Sequence, residues 1–161
     1  MPRRKNIVLI STRSAVDITA KVAKELDVPV TEMITRTFAD GEFFHAFPRD
    51  IAGCDLVIIA NTQDDTAHQE LIDLIAGARY WNALSVSGVI PYLCYSTMER
   101  AKPDSGEIPK GITRTRQIFR ARPDYVAFLD LHSESVMHAH TGEVRTRHLW
   151  TERVAAEKIK E

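Results

Sequence analysis

The sequence predicts an α/β domain built on a mostly parallel β-sheet with helices on both faces. Short apolar runs rich in Val and Ile alternate with segments whose apolar residues recur at helical spacing. Polar loops separate the two kinds of segment. One departure from the parallel pattern is expected, because Asp40-Gly41 lies between two apolar runs and predicts an antiparallel hairpin near 38–47.

The elements follow from these patterns in chain order. Continuous or alternating apolar runs predict the strands, and a period near 3.6 residues predicts the helices. Asn61 to Asp65 follows a strand as a polar exit loop and is expected to cap the next helix. The predicted strands are 6–11, 30–38, 54–60, 85–92 and 125–132, and the predicted helices are 15–26, the segment from the cap to Trp81, 112–121 and 151–161.

The last predicted strand ends in a polar pair, Asp130 and His132. Residues two positions apart on an extended strand project from the same face of the sheet. Open α/β sheets bind their ligands at the carboxyl ends of the strands, where this pair would lie. Residues 96–111 form a long polar loop with two prolines and two glycines, a length typical of a functional segment.

Composition excludes some partners. The formal net charge is −1, from 21 basic and 22 acidic residues, so no overall field attracts nucleic acid or a membrane surface. Arginines concentrate at 114–122 and 145–153, which leaves room for a local anion site. No segment has the apolar length of a signal peptide or a membrane span, which predicts a cytoplasmic protein without a membrane partner.

The two cysteines, Cys54 and Cys94, lie far apart in or beside apolar runs. This placement favours buried free thiols in a reducing compartment over a disulfide.

Two local patterns have more than one interpretation. The turn over 38–42 can be a solvated hairpin turn or a binding element, because Asp and Gly are common turn residues. His138 and His140 would lie on one face of a strand, and with His132 and His148 they could hold zinc. No cysteine joins these histidines, and His-x-His pairs also arise by chance.

Three stretches occur in an order and at spacings that identify a family. They are Phe38-Ala-Asp-Gly-Glu42, Val89-Ile-Pro-Tyr92 and Asp130-Leu-His132. Together with the first strand and loop and with Asn61-Thr62, they resemble the N-terminal domain of ribose-phosphate pyrophosphokinase (phosphoribosyl-pyrophosphate synthetase). The resemblance runs from about residue 7 to 155 and implies a phosphoribosyltransferase-like fold.

The resemblance also implies an activity. The family transfers the terminal diphosphate of ATP to ribose 5-phosphate with Mg²⁺ as cofactor, and its members assemble as homo-oligomers, either dimers or hexamers. By the same resemblance, His132 contributes to the magnesium–ATP site with Asp130 beside it. The turn that would contact the ATP base maps onto Phe38, Asp40, Gly41 and Glu42.

One stretch departs from the common pattern of the family. Thr97 and Met98 stand where common members carry an Arg-Gln pair that grips ATP, which removes a charge-assisted phosphate contact. Glu99 and Arg100 are retained, and the loop is similar to that of the plant-type class. Arg100 is the expected phosphate contact.

The family's second half is absent from these 161 residues. Its ribose 5-phosphate loop and its flexible cationic loop have no counterpart here. We therefore expect residues 1–161 to form a single α/β domain that corresponds to the N-terminal half, with ribose 5-phosphate bound through the missing second domain. Such a domain should be inactive alone. The alternative is a non-catalytic regulatory homologue of the same fold.

Overall fold

The computed structural model describes residues 6–160 and confirms the predicted fold class. Five parallel strands form one sheet in the order β1-β4-β5-β6-β7, and a separate antiparallel pair joins β2 to β3. The elements in chain order are β1 (Ile7–Ser11), α1 (Val16–Leu26), β2 (Ile34–Thr37), β3 (Phe43–Ala46), β4 (Asp55–Ile59), α2 (Asp65–Tyr80), β5 (Ser85–Ile90), α3 (Lys110–Arg120), β6 (Tyr125–Leu129), β7 (Arg145–Leu149) and α4 (Glu152–Lys160).

Alternate residues of the strands enter different cores on the two faces of the sheet. In β1, Val8 and Ile10 join the larger core with apolar residues of α2 and α3. Leu9 points the other way, into a smaller core with Ala15 and Ala23 beside α1. This period of two explains why the strands read as continuous apolar runs, since both faces of a parallel sheet are buried.

The predicted hairpin is confirmed. β2 and β3 pair antiparallel with Thr37 opposite Phe43, and the Phe38 N–H donates to the Glu42 carbonyl at 2.8 Å. Gly41 closes the turn at φ +90°, in the left-handed region that glycine adopts without strain. β2 is shorter than the strand predicted over 30–38.

A buried carboxylate connects this hairpin to the rest of the molecule. Glu70 of α2 accepts hydrogen bonds from the backbone N–H of Arg13 at 3.0 Å and from its Nε at 3.2 Å. The Arg13 guanidinium stacks 3.5 Å from the Phe43 ring centroid, and His45 Nε2 lies 3.9 Å from Glu70 Oε1. The hairpin base is thereby held against α2 and the loop after β1.

Two predictions about the second half were wrong. The strand predicted over 125–132 ends at Leu129, because Asp130 adopts φ +43° and turns the chain out of the sheet. No strand was predicted over 145–149, but this segment forms β7, which pairs parallel with β6. Its arginines at 145 and 147 are exposed, so the strand lacks the apolar pattern of its neighbours.

Two other expectations are confirmed, the cap of α2 and the buried free cysteines. Asp64 caps α2 by accepting from the Ala67 N–H at 2.8 Å, and both Cys54 and Cys94 are buried free thiols. No helix within residues 6–160 combines the length and apolar character that crossing a membrane requires. The expected absence of a signal sequence concerns residues that include 1–5, which lie outside the described part of the chain.

Candidate functional site

Five of the six predicted site residues of the second half converge on one cavity of about 450 Å³, and Asp130 is the exception. The cavity lies beyond the carboxyl ends of β5 and β6, which are adjacent strands of the sheet. The long loop after β5 forms one wall, and His132 in the loop after β6 forms the other. The predicted residues that line it are Thr97, Met98, Glu99, Arg100 and His132.

The base of the long loop is fixed to the neighbouring strand end. Thr62, just after β4, donates its backbone N–H to the Tyr92 carbonyl at 2.9 Å. The Thr62 hydroxyl also accepts from the Cys94 N–H at 3.1 Å. Thr62 is fully buried, so these contacts are protected from water and hold the loop where it leaves the sheet.

The first turn of α3 fixes the other side of the loop. The Gly111 N–H donates to the Met98 carbonyl at 3.0 Å, and the Met98 N–H donates to the Tyr95 carbonyl at 2.8 Å. A Cβ at Gly111 would lie 2.6 Å from the Tyr95 oxygen, closer than real Cβ atoms approach backbone. Glycine at this position is therefore what lets the loop pack on the helix.

Charged side chains of both signs line the cavity. The Glu99 side chain is only 12% exposed, whereas that of Arg100 is 89% exposed and pairs with Glu99 at 3.6 Å. Lys102 and Glu107 form a second ion pair at 3.8 Å, also on the cavity wall. The cationic groups of Arg100 and Lys102 are both exposed to solvent at the mouth of the cavity.

Residues at the end of β7 hold the loop that carries His132. The Leu131 N–H donates to His148 Nε2 at 2.8 Å, and His148 Nδ1 lies 2.9 Å from the Glu134 carboxylate. Both oxygens of Asp130 accept from Thr151, one from its backbone N–H at 3.0 Å and one from its hydroxyl. These hydrogen bonds hold the pKa of Asp130 below its ordinary value.

Asp130 and His132 therefore do not act as a pair. The prediction that they project from one face of a strand was wrong, because the strand ends before either residue. His132 is exposed on the cavity, and no hydrogen-bond partner for it occurs among residues 6–160. The Asp130 carboxylate instead bonds to Thr151, beyond the end of β7.

The turn over 38–42 lies at the tip of the hairpin and does not line this cavity within the described chain. Its residues are exposed, and the Phe38 ring is 43% exposed with an edge-on contact to Phe44 at 6.5 Å. Asp40 accepts from the Glu42 N–H at 3.1 Å and shapes the turn. The residues predicted to contact the ATP base therefore do not line the cavity that residues 97–100 line.

The described part of the chain contains no ready-made cluster of metal ligands. No three His, Cys, Asp or Glu side chains within residues 6–160 are grouped to hold a metal ion. The four-histidine zinc arrangement is therefore wrong, since His148 already bonds to Leu131 and His140 accepts from Gly142.

Three residues of the cavity wall were not predicted individually: Lys102, Glu107 and Ile108. The sequence signal was the loop over 96–111 as a whole, which is polar and interrupted by Pro and Gly. The Lys102 N–H donates to the Glu107 carboxylate at 3.1 Å, an internal contact that folds the loop onto itself. Spacing alone does not reveal such contacts.

The fold and the cavity define a class of protein: an α/β domain with a polar ligand site at the carboxyl edge of a parallel sheet. The family model described as the N-terminal domain of ribose phosphate pyrophosphokinase matches residues 7–110. The chain belongs to this family.

Individual relatives that carry the name of this family also match the chain. A ribose-phosphate pyrophosphokinase of Mycobacterium leprae is 29% identical over 147 residues, which cover 88% of this chain and 43% of that protein. A putative ribose-phosphate pyrophosphokinase 2 of Streptococcus pyogenes is 33% identical over 135 residues, with 82% and 41% covered. The chain thus spans about two fifths of the length of these relatives.

A solved structure shares the fold. The phosphoribosylpyrophosphate synthetase from Mycobacterium smegmatis superposes with a TM-score of 0.85 over 96% of this chain and 52% of that one. The sequences are 24% identical in this comparison, so the similarity supports the fold alone.

Proposed function

We propose that this chain is the ATP-binding, N-terminal domain of an enzyme that transfers diphosphate from ATP to ribose 5-phosphate, forming phosphoribosyl pyrophosphate. One observation supports it above the others. Five side chains expected at the nucleotide site, four from one loop and His132 from another, line a single cavity. Family membership gives this cavity its proposed ligand.

The proposal divides the reaction between two domains. Residues 1–161 would bind the nucleotide, and a second domain would supply the ribose 5-phosphate site and the cationic loop. Phosphoryl transfer depends on positioning both substrates and neutralising charge, so this domain alone would bind ATP without forming product. The enzyme would act in the cytoplasm as a homo-oligomer in which the turn over 38–42 contacts the ATP base.

Magnesium enters the proposal as the ion that accompanies ATP. His132 is the side chain placed to approach it, because the imidazole is exposed on the cavity and has no competing hydrogen bond within the described residues. Asp130 would contribute indirectly, since its carboxylate bonds to Thr151 and orders the turn before His132.

A binding experiment tests the assignment. Calorimetric titration of the chain with a non-hydrolysable ATP analogue and Mg²⁺ should show binding, and His132→Ala should weaken it by about tenfold, the loss of one charge-assisted contact. His138→Ala is the matched control, because that exposed histidine lines a different cavity. Equal weakening in both variants, or no binding to the parent chain, would contradict the proposal.

The regulatory alternative has one observation in its favour. Thr97 and Met98 place no cationic group on the cavity at the positions where common family members carry Arg-Gln. Such a protein would keep the fold and assemble with active subunits without turning over substrate. Turnover of ribose 5-phosphate by a longer parent protein that contains this domain would eliminate the regulatory alternative. A parent protein that binds ATP but does not turn over ribose 5-phosphate would favour the regulatory alternative.

A further inference from the structure

A cluster of charged and aromatic side chains joins the N-terminal parts of α2 and α3 to the start of the long loop after β5. Nη2 of Arg114, in α3, lies 2.9 Å from Oδ1 of Asp65, the first residue of α2. The Tyr95 hydroxyl lies 3.4 Å from the same oxygen. None of these three is among the described residues that line the proposed nucleotide cavity, so the cluster is separate from the proposed contacts.

Tyr95 has an unusual backbone conformation at the point where the loop begins. Its φ is +58°, in the left-handed region that a bulky residue rarely occupies. Such a conformation is costly and persists only where the surrounding contacts hold it. The Tyr95 carbonyl accepts from the Met98 N–H at 2.8 Å, so the orientation of this residue also directs the chain into the cavity residues 97–100.

Cations of α3 flank the Tyr95 ring. Lys110 Nζ lies 5.0 Å and Arg114 Cζ lies 6.0 Å from the ring centroid, distances at which a cation is attracted to an aromatic ring. The Asp65 charge raises the pKa of Tyr95, so the phenol keeps its proton and can donate to that carboxylate. Arg114 is therefore the side chain that contacts both the carboxylate and the ring.

We propose that Arg114 is a positioning residue for the nucleotide site, which acts through Asp65 and Tyr95 on the loop that carries residues 97–100. The inference rests on the proposed nucleotide function of the cavity. Without the Arg114 charge, Tyr95 loses a cation at its ring and a fixed carboxylate at its hydroxyl, two contacts that hold its left-handed backbone. The loop then populates arrangements in which its side chains do not converge with His132, which lowers the apparent affinity in proportion to their population.

Replacing Arg114 in the 161-residue chain tests the inference with and without nucleotide. Arg114→Met keeps the apolar stem and removes the charge, so hydrogen exchange of the Met98 and Gly111 amides should accelerate at least about threefold. Calorimetric affinity for a non-hydrolysable ATP analogue with Mg²⁺ should fall about three- to fivefold, the range of a partly exposed ion pair. Arg114→Lys retains a cation and should restore most of the affinity.

Arg79→Met is the matched control. Arg79 pairs with Asp124 at 2.6 Å, at the opposite edge of the sheet, because Asp124 precedes β6. Its side chain is 23% exposed against 27% for Arg114, so both variants lose a similarly shielded ion pair. Arg79→Met should lower the urea midpoint but change the two exchange rates and the affinity by less than about 1.5-fold. Asp65→Asn combined with Arg114→Met should bind no more weakly than Arg114→Met alone, because the two residues act as a unit.

Equal acceleration in Arg114→Met and Arg79→Met would reflect a general loss of stability and would overturn the inference. So would unchanged exchange or unchanged affinity in Arg114→Met, no recovery in Arg114→Lys, or a further loss in the double variant. Failure of the unsubstituted chain to bind the analogue would instead contradict the proposed function. The amide exchange needs no nucleotide and would still decide whether Arg114 holds the loop. Urea unfolding of each variant confirms that it is folded.

Discussion

His148 illustrates how a single residue outside the predicted site supports it. Its side chain is only 4% exposed, and its two ring nitrogens bond to different segments. Nε2 accepts from the Leu131 N–H, so in the neutral ring the proton lies on Nδ1, which faces Glu134. The backbone beside His132 is thereby fixed by a histidine 17 residues away in sequence.

Replacing this histidine should loosen the loop. His148→Phe leaves the Leu131 N–H without its acceptor, which we expect to lower the free energy of unfolding by about 1–3 kcal/mol. His148→Gln keeps an acceptor and a donor and should lose less. Urea unfolding measures the stability, and hydrogen exchange of the Leu131 amide reports the local contact. Unchanged exchange in His148→Phe would show that the bond does not hold the loop.

At the scale of elements, the site depends on the junction between the long loop and α3. The loop leaves β5, is fixed at Thr62, and returns against the first turn of α3 at Gly111. Four of the proposed nucleotide contacts lie between these two anchors. The position of the loop is therefore set by hydrogen bonds to the end of β4 and to the first turn of α3.

Gly111→Ala tests this junction. Because its Cβ would lie 2.6 Å from the Tyr95 oxygen, the loop or the helix must shift, and we expect a loss of about 1–3 kcal/mol in unfolding free energy together with weaker nucleotide binding. Gly77→Ala is the control, since its Cβ would meet only the Phe47 ring, at 3.5 Å. A helix interior favours alanine by about 1 kcal/mol, so this variant should be as stable as the parent or more stable. Equal behaviour of the two variants would contradict the argument.

At the scale of the whole molecule, the packed sheet buries titratable groups between its layers. His68 of α2 is 1% exposed, and burial lowers its pKa below the ordinary 6.5. The pKa of His45 at the hairpin base is also lowered, because burial outweighs the opposing effect of the Glu70 charge. Folding therefore excludes protons that the unfolded chain would bind.

Stability should consequently fall as the solution becomes acidic. Below pH 6.5 the unfolded chain takes up a proton at His68 that the folded chain does not, so the stabilisation present above this pH is lost as the pH falls through the folded pKa. Each such histidine contributes a slope of up to about 1.4 kcal/mol per pH unit. His68→Leu should flatten the dependence of unfolding free energy between about pH 7 and 5, whereas exposed His138→Gln should retain it. An unchanged slope in His68→Leu would refute the prediction.

The sequence predicted the regular part of this molecule well. Apolar periodicity located β1, β4, β5 and the three internal helices, because burial on a sheet or helix face imposes that period. It missed β7, whose pattern of Arg145, Thr146 and Arg147 reflects an edge strand. The end of β6 was also misplaced, since a single left-handed residue, Asp130, decides where the strand stops.

The sequence by itself determined the α/β class, the hairpin, the family and the loop and histidine that line the cavity, because local periodicity and ordered motifs are properties of the chain alone. Only the tertiary structure showed that Asp130 bonds to Thr151 and that Arg116 and Arg120 share a cavity with His138 and His140. The reason is physical: these contacts join segments distant along the chain, and their hydrogen bonds and charges acquire partners only when the strands assemble in the sheet.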